Sequence, residues 1–476
     1  GDIWSKLIYV KAEMVLLNGA AIFTAAQMLT RHFKRPAILA ATLLFLTMSN
    51  FLEHGEALRV DMLTAWFGLF SLLFLMRGRM IVSGLLLATS FLTSQKGIYY
   101  TAATIAAMGL SQLVRQERPR FRDWLVLGAA AAAPVCLYGL SLVLFGARAE
   151  EIARQVVVAH KDVALDDLYR KETMSGYWTQ TLSRNPAFYA LLALGILTGF
   201  VRAFCKDRPR VFAICSVYGA VLLAGCAWHK QSWPYFFLIL IPTGWLLVAS
   251  FFDGVLDLPA RARPLKALLL VCGVAGAAYP LQRVPVVLAR GNDMQKGTVA
   301  LADHLVGKDE FYLAGIGMLF DRKQPPGLSW LDWKAIAIRN RDWKATLEII
   351  QKTPPKLYID NYRIRALKLP VRRYLAANYA QLKGNVYLYC PTVTTAEFRV
   401  SFDGEYTVRG LSSSSARATL DGEPTANGRK ISLKKAISHR TDATGYRLCL
   451  SPRDGWREVV AKGYKKTDEF MKPYDY

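Results

Sequence analysis

The sequence predicts a polytopic α-helical membrane protein with a C-terminal extracytoplasmic region, an α/β unit followed by a β-sandwich. Three observations lead there. The 476-residue chain is 53% hydrophobic, yet it carries a net charge of +24, a combination foreign to ordinary soluble domains. Apolar runs near the ~20 residues that cross a bilayer recur up to about residue 285 and then stop. Beyond them come short alternating segments punctuated by turn residues.

About ten candidate spans lie near residues 8–30, 36–51, 61–76, 80–94, 97–114, 124–146, 186–204, 211–228, 235–252 and 266–282. The connections alternate in character. RHFKRP (31–36), RGR (77–79), RQERPRFR (115–122), CKDRPR (205–210) and the stretch ending PARARPLK are dense in Arg and Lys, which predicts a cytoplasmic side. FLEHGEALRVD (51–61), TSQKG (93–97), the segment 147–185, HKQSWPY (229–235) and everything after residue 283 then face the outside. This topology puts the amino end outside. GDIWSKLIYVKAEM lacks the basic start and cleavage site of a signal peptide, so at least one earlier helix and an outer loop are expected to precede Gly1.

Cytoplasmic hairpins account for much of the positive charge through orientation and anionic headgroups, so nucleic acid is not implied. Cations in outer loops are different, because positive-inside bias works against them, and they suggest an anionic ligand. In the first outer loop Glu53 and Glu56 share a face if the loop is helical, while Arg59 and Asp61 stand at the head of a helix. Charge at the bilayer edge is kept mainly where it faces protein or water; a snorkelling interfacial cluster is the bland alternative. Glu53 and His54 are weak candidates for a divalent metal, the cofactor being otherwise undetermined. The turn at Gln95 and Lys96 is too tight for a domain and holds Lys96 at membrane depth, where a compact cation suits a phosphate. In HKQSWPYFFLILIP, the tryptophans and Phe236 or Phe237 read as interfacial belt, whereas His229, Lys230 and Tyr235 form a donor set for a phosphate headgroup. EEIARQVVVAH in the long outer segment has the spacing of an amphipathic surface helix, its charges mostly a solvated face.

In their order along the chain, the group before LRVDM, GLLLATSFLTSQKG and HKQSWPYFFLILIP resemble the GT-C superfamily of integral-membrane glycosyltransferases. The branch they resemble contains protein mannosyltransferases and lipid A aminoarabinose transferases. FYLAGIGMLFDRKQPPGLSWLDW (311–333) and PKLYIDNYRIRALKLP (355–370) are similar to tail segments of bacterial members. The resemblance implies transfer of a sugar from a polyprenyl-phosphate carrier to a lipid, protein or glycan acceptor on the periplasmic side of a bacterial inner membrane, with inversion at the anomeric carbon. It implies donor-phosphate binding by Arg59, Lys96, His229, Lys230 and Tyr235. The family's usual catalytic acid sits in a first outer loop, which would precede Gly1. Glu56 and Asp61 are then supporting acids, and Asp2 is too isolated to serve as the base.

Three regions follow: 1–285 in the membrane, 286–393 as the α/β unit and 394–476 as the β-sandwich and tail, the last with Asp-Gly turns at 403–404 and 421–422. Glycan or acceptor binding and a purely structural cap are both open for the tail. Of seven cysteines, only Cys390 and Cys449 fall in the outer regions, where a disulfide can form. The competing reading is a transporter or flippase of an anionic lipid-linked substrate. It predicts internal repeats and broken midplane helices rather than charge at an outer mouth. A non-catalytic membrane subunit leaves that charge unexplained.

Overall fold

The computed structural model describes residues 3–55, 60–112, 119–148, 150, 171–204, 209–228, 234–282, 284–285, 293–319, 321–331, 333–410, 418–435 and 437–463. The chain is mostly helical and divides into two compact units, the second of which carries the strands and takes up the chain from Gly291. The first contains α1 (Ile3–Leu29), α2 (Arg35–Leu46), α3 (Ser49–His54), α4 (Val60–Met76), α5 (Met80–Thr93), α6 (Gly97–Ser111) and α7 (Phe121–Leu144). It continues through α8 (Lys171–Arg184), α9 (Pro186–Ala203), α10 (Pro209–Trp228), α11 (Ile241–Leu256) and α12 (Arg263–Leu281), with a 3-10 turn over Pro234–Ile239 before α11.

Every expected span overlaps a helix, although 36–51 is divided between α2 and α3 and 235–252 begins in the 3-10 turn, and the helices are not alike. Among the described residues five segments are long and apolar enough to cross a membrane: Ile8–Leu29, Phe121–Leu144, Pro186–Ala203, Val211–Trp228 and Ala260–Leu281. The apolar helices α2, α4, α5 and α11 are shorter; at 1.5 Å per residue the 16 residues of α11 extend about 24 Å. Position explains the difference in character. Nearly every side chain of α11 is buried, from Ile241 to Asp253, whereas α7 exposes Leu137, Leu140 and Leu144, an apolar outer surface of the kind that lipid covers.

Polar groups at the carboxyl ends of α4, α9 and α11 mark one end of the bundle. Just beyond the carboxyl end of α4, Arg77 donates to the Met28 carbonyl of α1 at 3.2 Å. Arg202 in the last turn of α9 pairs with Asp253 of α11 at 2.8 Å and lies over the Phe212 ring, 3.9 Å from its centroid. Lys34 donates its backbone N–H to Asp253 at 2.8 Å and pairs through Nζ with Asp257. These residues bind the RHFKRP connection to the far ends of α9 and α11. The opposite ends of α4 and α9 carry the groups described in the next subsection.

In the second unit, α13 (Asp293–Leu305) leads to β1 (Tyr312–Leu313). After it come α14 (Trp333–Arg341), α15 (Trp343–Lys352), β2 (Leu357–Ile359), α16 (Tyr362–Arg365), α17 (Leu369–Asn378), β3 (Tyr379–Lys383) and β4 (Val386–Tyr389). The sheet order is β1-β2-β4-β3, with β1 and β2 parallel and the other pairs antiparallel, so this region is a small α/β arrangement. From 394 onward the described residues form three short antiparallel sheets. They pair β5 (Glu397–Phe398) with β10 (His439–Arg440), β7 (Thr419–Leu420) with β8 (Glu423–Pro424), and β6 (Gly404–Arg409) with both β9 (Lys430–Leu433) and β11 (Arg447–Leu450). Asp421-Gly422 makes a two-residue hairpin with both residues at positive φ, +52° and +81°. Asp403-Gly404 instead opens β6, and Asp403 accepts from the Lys435 N–H at 2.6 Å. Cys390 and Cys449 are joined, tying the end of β4 to β11. The last described helix, α18 (Trp456–Gly463), packs on α13.

Candidate functional site

The candidate site gathers where the expected outer loops meet. Helix α5 ends at Thr93, Ser94 turns extended, and Lys96 takes the position before α6. Gly97 permits so tight a reversal: a Cβ there would lie 2.4 Å from the Phe91 backbone. The turn delivers Lys96 to the amino end of a helix, where the dipole disfavours a cation. Asp61 compensates. It sits in the first turn of α4, a favourable place for a carboxylate, and its Oδ1 pairs with Lys96 Nζ. Only 4% of the Asp61 side chain is exposed against 21% of Lys96, so the carboxylate is enclosed while part of the Lys96 side chain stays accessible. Lys96 Nζ also lies 5.2 Å from the centroid of the Phe236 ring, an attractive cation–π arrangement. Phe236 in turn meets Tyr99 edge to face at 5.6 Å.

Phe236 belongs to the 3-10 turn Pro234–Ile239, which touches α3, α4, α8, α10 and α11 and is the hub of this end. Its neighbour Phe237 packs against Trp178 of α8 at 4.8 Å and Tyr189 of α9 at 6.3 Å. Phe236 and Phe237 are fully buried, which corrects their reading as interfacial belt: they pack in the core of the bundle, because the turn folds inward ahead of α11. Tyr189 places its hydroxyl in this buried setting with no hydrogen-bond partner among the described residues.

A second polar group lies alongside. Asn185 stands between α8 and α9. Its Oδ1 accepts from the Ser49 N–H at 2.8 Å, and its Nδ2 donates to Ser49 Oγ, Asn50 Oδ1 and the Thr181 carbonyl at 2.9, 3.1 and 3.2 Å. Arg184 reaches Glu53 at 3.8 Å, both side chains largely buried. Trp66 Nε1 donates to Asn18 Oδ1 at 2.7 Å, and Asn18 Nδ2 donates to the Gly55 carbonyl at 2.8 Å. Together these bonds hold α3, the carrier of Glu53 and His54, against α1, α4 and α9.

Of the expected site residues, Asp61 and Lys96 are brought into contact. Glu53 joins Arg184, and His54 ends α3. Glu56, Arg59, His229 and Lys230 lie outside the described residues, as does the EEIARQVVVAH segment apart from Glu150; of Tyr235 only the backbone is described, within the 3-10 turn. No three His, Cys, Asp or Glu side chains converge to hold a metal among the described residues, so Glu53 and His54 gain no third ligand there. Sequence reasoning passed over Arg184 and Asn185. The signal was present: Asn followed by Pro at a helix start marks an amino-terminal boundary, and a boundary residue can turn its side chain to a neighbouring helix.

Compared with known proteins, the chain matches no family model, no curated protein and no solved structure.

Proposed function

We propose that the chain is a multi-pass membrane glycosyltransferase of GT-C type, taking a sugar from a polyprenyl-phosphate carrier and passing it to a lipid, protein or glycan acceptor at the periplasmic face. The observation that carries the proposal is the Lys96–Asp61 pair beside Phe236, at the bundle end opposite the Arg202–Asp253 cluster. A carrier phosphate needs a cation that can approach it and apolar surface for its isoprenoid. Lys96 supplies the cation at this end, beside the amino ends of α4 and α6, whose helix dipoles favour anions. The bonded Cys390–Cys449 pair supports an oxidising side for the second unit.

On this reading Lys96 binds the carrier phosphate and stabilises charge as the phosphate leaves the anomeric carbon. Asp61, enclosed and engaged with Lys96, is a positioning residue rather than the base. The acceptor hydroxyl loses its proton to a carboxylate within hydrogen-bond reach, with Glu56 as a supporting acid. Arg59, His229, Lys230 and Tyr235 are the further phosphate-binding candidates. Attack opposite the departing phosphate inverts the anomeric centre.

The test is transfer of radiolabelled sugar from a panel of polyprenyl-phosphate donors by purified protein in detergent. Lys96→Ala is expected to lower turnover at least about a hundredfold, in line with removal of one charge-stabilising group, in a variant that still elutes as a monodisperse species. Absence of transfer from every donor, with labelled lipid-linked substrate crossing proteoliposomes instead, would replace the transferase reading by a flippase.

A further inference from the structure

The second unit holds a feature that the transferase reading does not use. Parallel pairing of β1 with β2 brings their carboxyl ends to one edge, so the loop after β1 and the loop after β2 lie side by side, the usual location of ligands on parallel strands. The first loop turns at Gly315, at φ +65°, where a Cβ would also press on Leu331 at 2.9 Å. It is secured from several directions. Gln324 Oε1 accepts from the N–H groups of Ala314 and Gly315 at 3.0 and 3.1 Å, and its Nε2 donates to the carbonyls of Ile316 and Ser329 at 2.9 and 3.1 Å. From the second loop, Asn361 Nδ2 donates to the Ala314 carbonyl at 2.7 Å.

This scaffold presents Trp330 and Arg363. The Leu331 N–H donates to the Gly315 carbonyl at 2.8 Å, which anchors the backbone next to Trp330. Arg363 approaches the same carbonyl through Nη1 at 3.4 Å and donates Nε to the Tyr362 hydroxyl at 2.9 Å, with its guanidinium carbon 4.6 Å from the Trp330 ring centroid. Trp330 is 59% exposed. Among the described residues no carboxylate pairs with Arg363 and no acceptor meets the indole N–H; nearby Asp360 is committed to Arg365 at 2.9 Å. An indole held open to solvent, with an unneutralised guanidinium laid against it, is rigid, flat and cationic.

We propose that Trp330 and Arg363 form a binding platform for a saccharide bearing an anionic substituent, a carboxylate or a phosphate. The C–H face of a pyranose stacks on an indole, the hydroxyls of such a ring suit the indole N–H, and the guanidinium forks onto an oxyanion. An extended peptide fits less well: β1, the edge strand of the sheet, is already bridged by Lys323 at Phe311, and no strand edge is open there for addition. The inference stands apart from the transferase proposal, since it concerns the second unit alone and any such saccharide.

The experiment is saturation-transfer NMR on the full chain in detergent, with a glucuronate-containing disaccharide, glucose 1-phosphate and neutral maltose as probes. The expected result is transfer to the ring C–H protons of at least one anionic sugar, with maltose bound about tenfold more weakly. Trp330→Ala should abolish transfer to every probe, and Arg363→Ala should reduce the anionic sugars to the level of maltose, while both variants keep the wild-type melting temperature. The ratio of the two anionic probes distinguishes carboxylate from phosphate. No transfer to any probe at roughly 10 mM, or transfer that survives Trp330→Ala, would overturn the platform. Equal binding of maltose and both anions would overturn the role given to Arg363.

Discussion

At Lys96 three influences meet at one ammonium group: a helix dipole that opposes it, an enclosed carboxylate that holds it and an aromatic face that attracts it. The two partners are unequally exposed, so their removal should be unequal. Lys96→Ala takes a cation from buried Asp61 and is expected to cost up to about 3 kcal/mol, as for a broken buried pair. Asp61→Asn leaves an ammonium that can turn toward water, and should cost less. Melting of the two variants in detergent checks the order, and equal losses would contradict it. In the second unit, Asp421 accepts from His439 Nδ1 at 2.7 Å and from the Arg440 N–H at 2.8 Å. Partial burial pushes its carboxyl upward, but these bonds prevail and hold it below the ordinary carboxylate value. A depressed carboxyl stabilises the fold above its unfolded value, near about 3.9, and loses that contribution as pH falls through the folded value. Asp421→Asn, which tolerates the positive φ, should therefore lower the melting temperature at pH 7 and flatten its decline below pH 4.

Helix α9 shows how contact geometry at the level of an element differs from composition. Its Gly195 faces α11 so closely that a Cβ would lie 2.3 Å from the Leu247 carbonyl, and Gly199 would press a Cβ to 2.1 Å from Ser216 Oγ of α10. The four-residue spacing is legible in ALLALGILTGF as a small-residue seam; which helices it meets is not. Gly195→Val is expected to destabilise the bundle by at least about 2 kcal/mol through overpacking. Gly139→Val on α7, where nothing lies within 4 Å, should be close to neutral. Thermal unfolding of the pair tests whether the seam or mere helicity matters.

For the molecule as a whole, the Cys390–Cys449 bond closes a separation of 59 residues, and Arg447 adds hydrogen bonds to the carbonyls of Cys390 and Tyr379 across the same junction, at 3.0 and 2.8 Å. Loop closure of that length contributes about 4 kcal/mol in the chain-entropy description. Reduction, or Cys449→Ser, should therefore lower the melting transition of the second unit, followed in near-ultraviolet circular dichroism. Cys136, Cys215, Cys226 and Cys272 form no disulfide, so among the described residues reductant has no other bond to break. An unchanged transition would assign the junction to Arg447 instead.

The sequence by itself determined where the described helices form and where strands replace them, because hydropathy and turn residues act locally. It also singled out Lys96, Asp61, Cys390 and Cys449. Tertiary structure alone decided which helices are interior and which expose apolar faces, that Phe236 and Phe237 turn inward, that Arg184 meets Glu53, and that Trp330 and Arg363 stack. Each of these pairs residues distant in the chain, and their meeting depends on packing that local pattern does not encode.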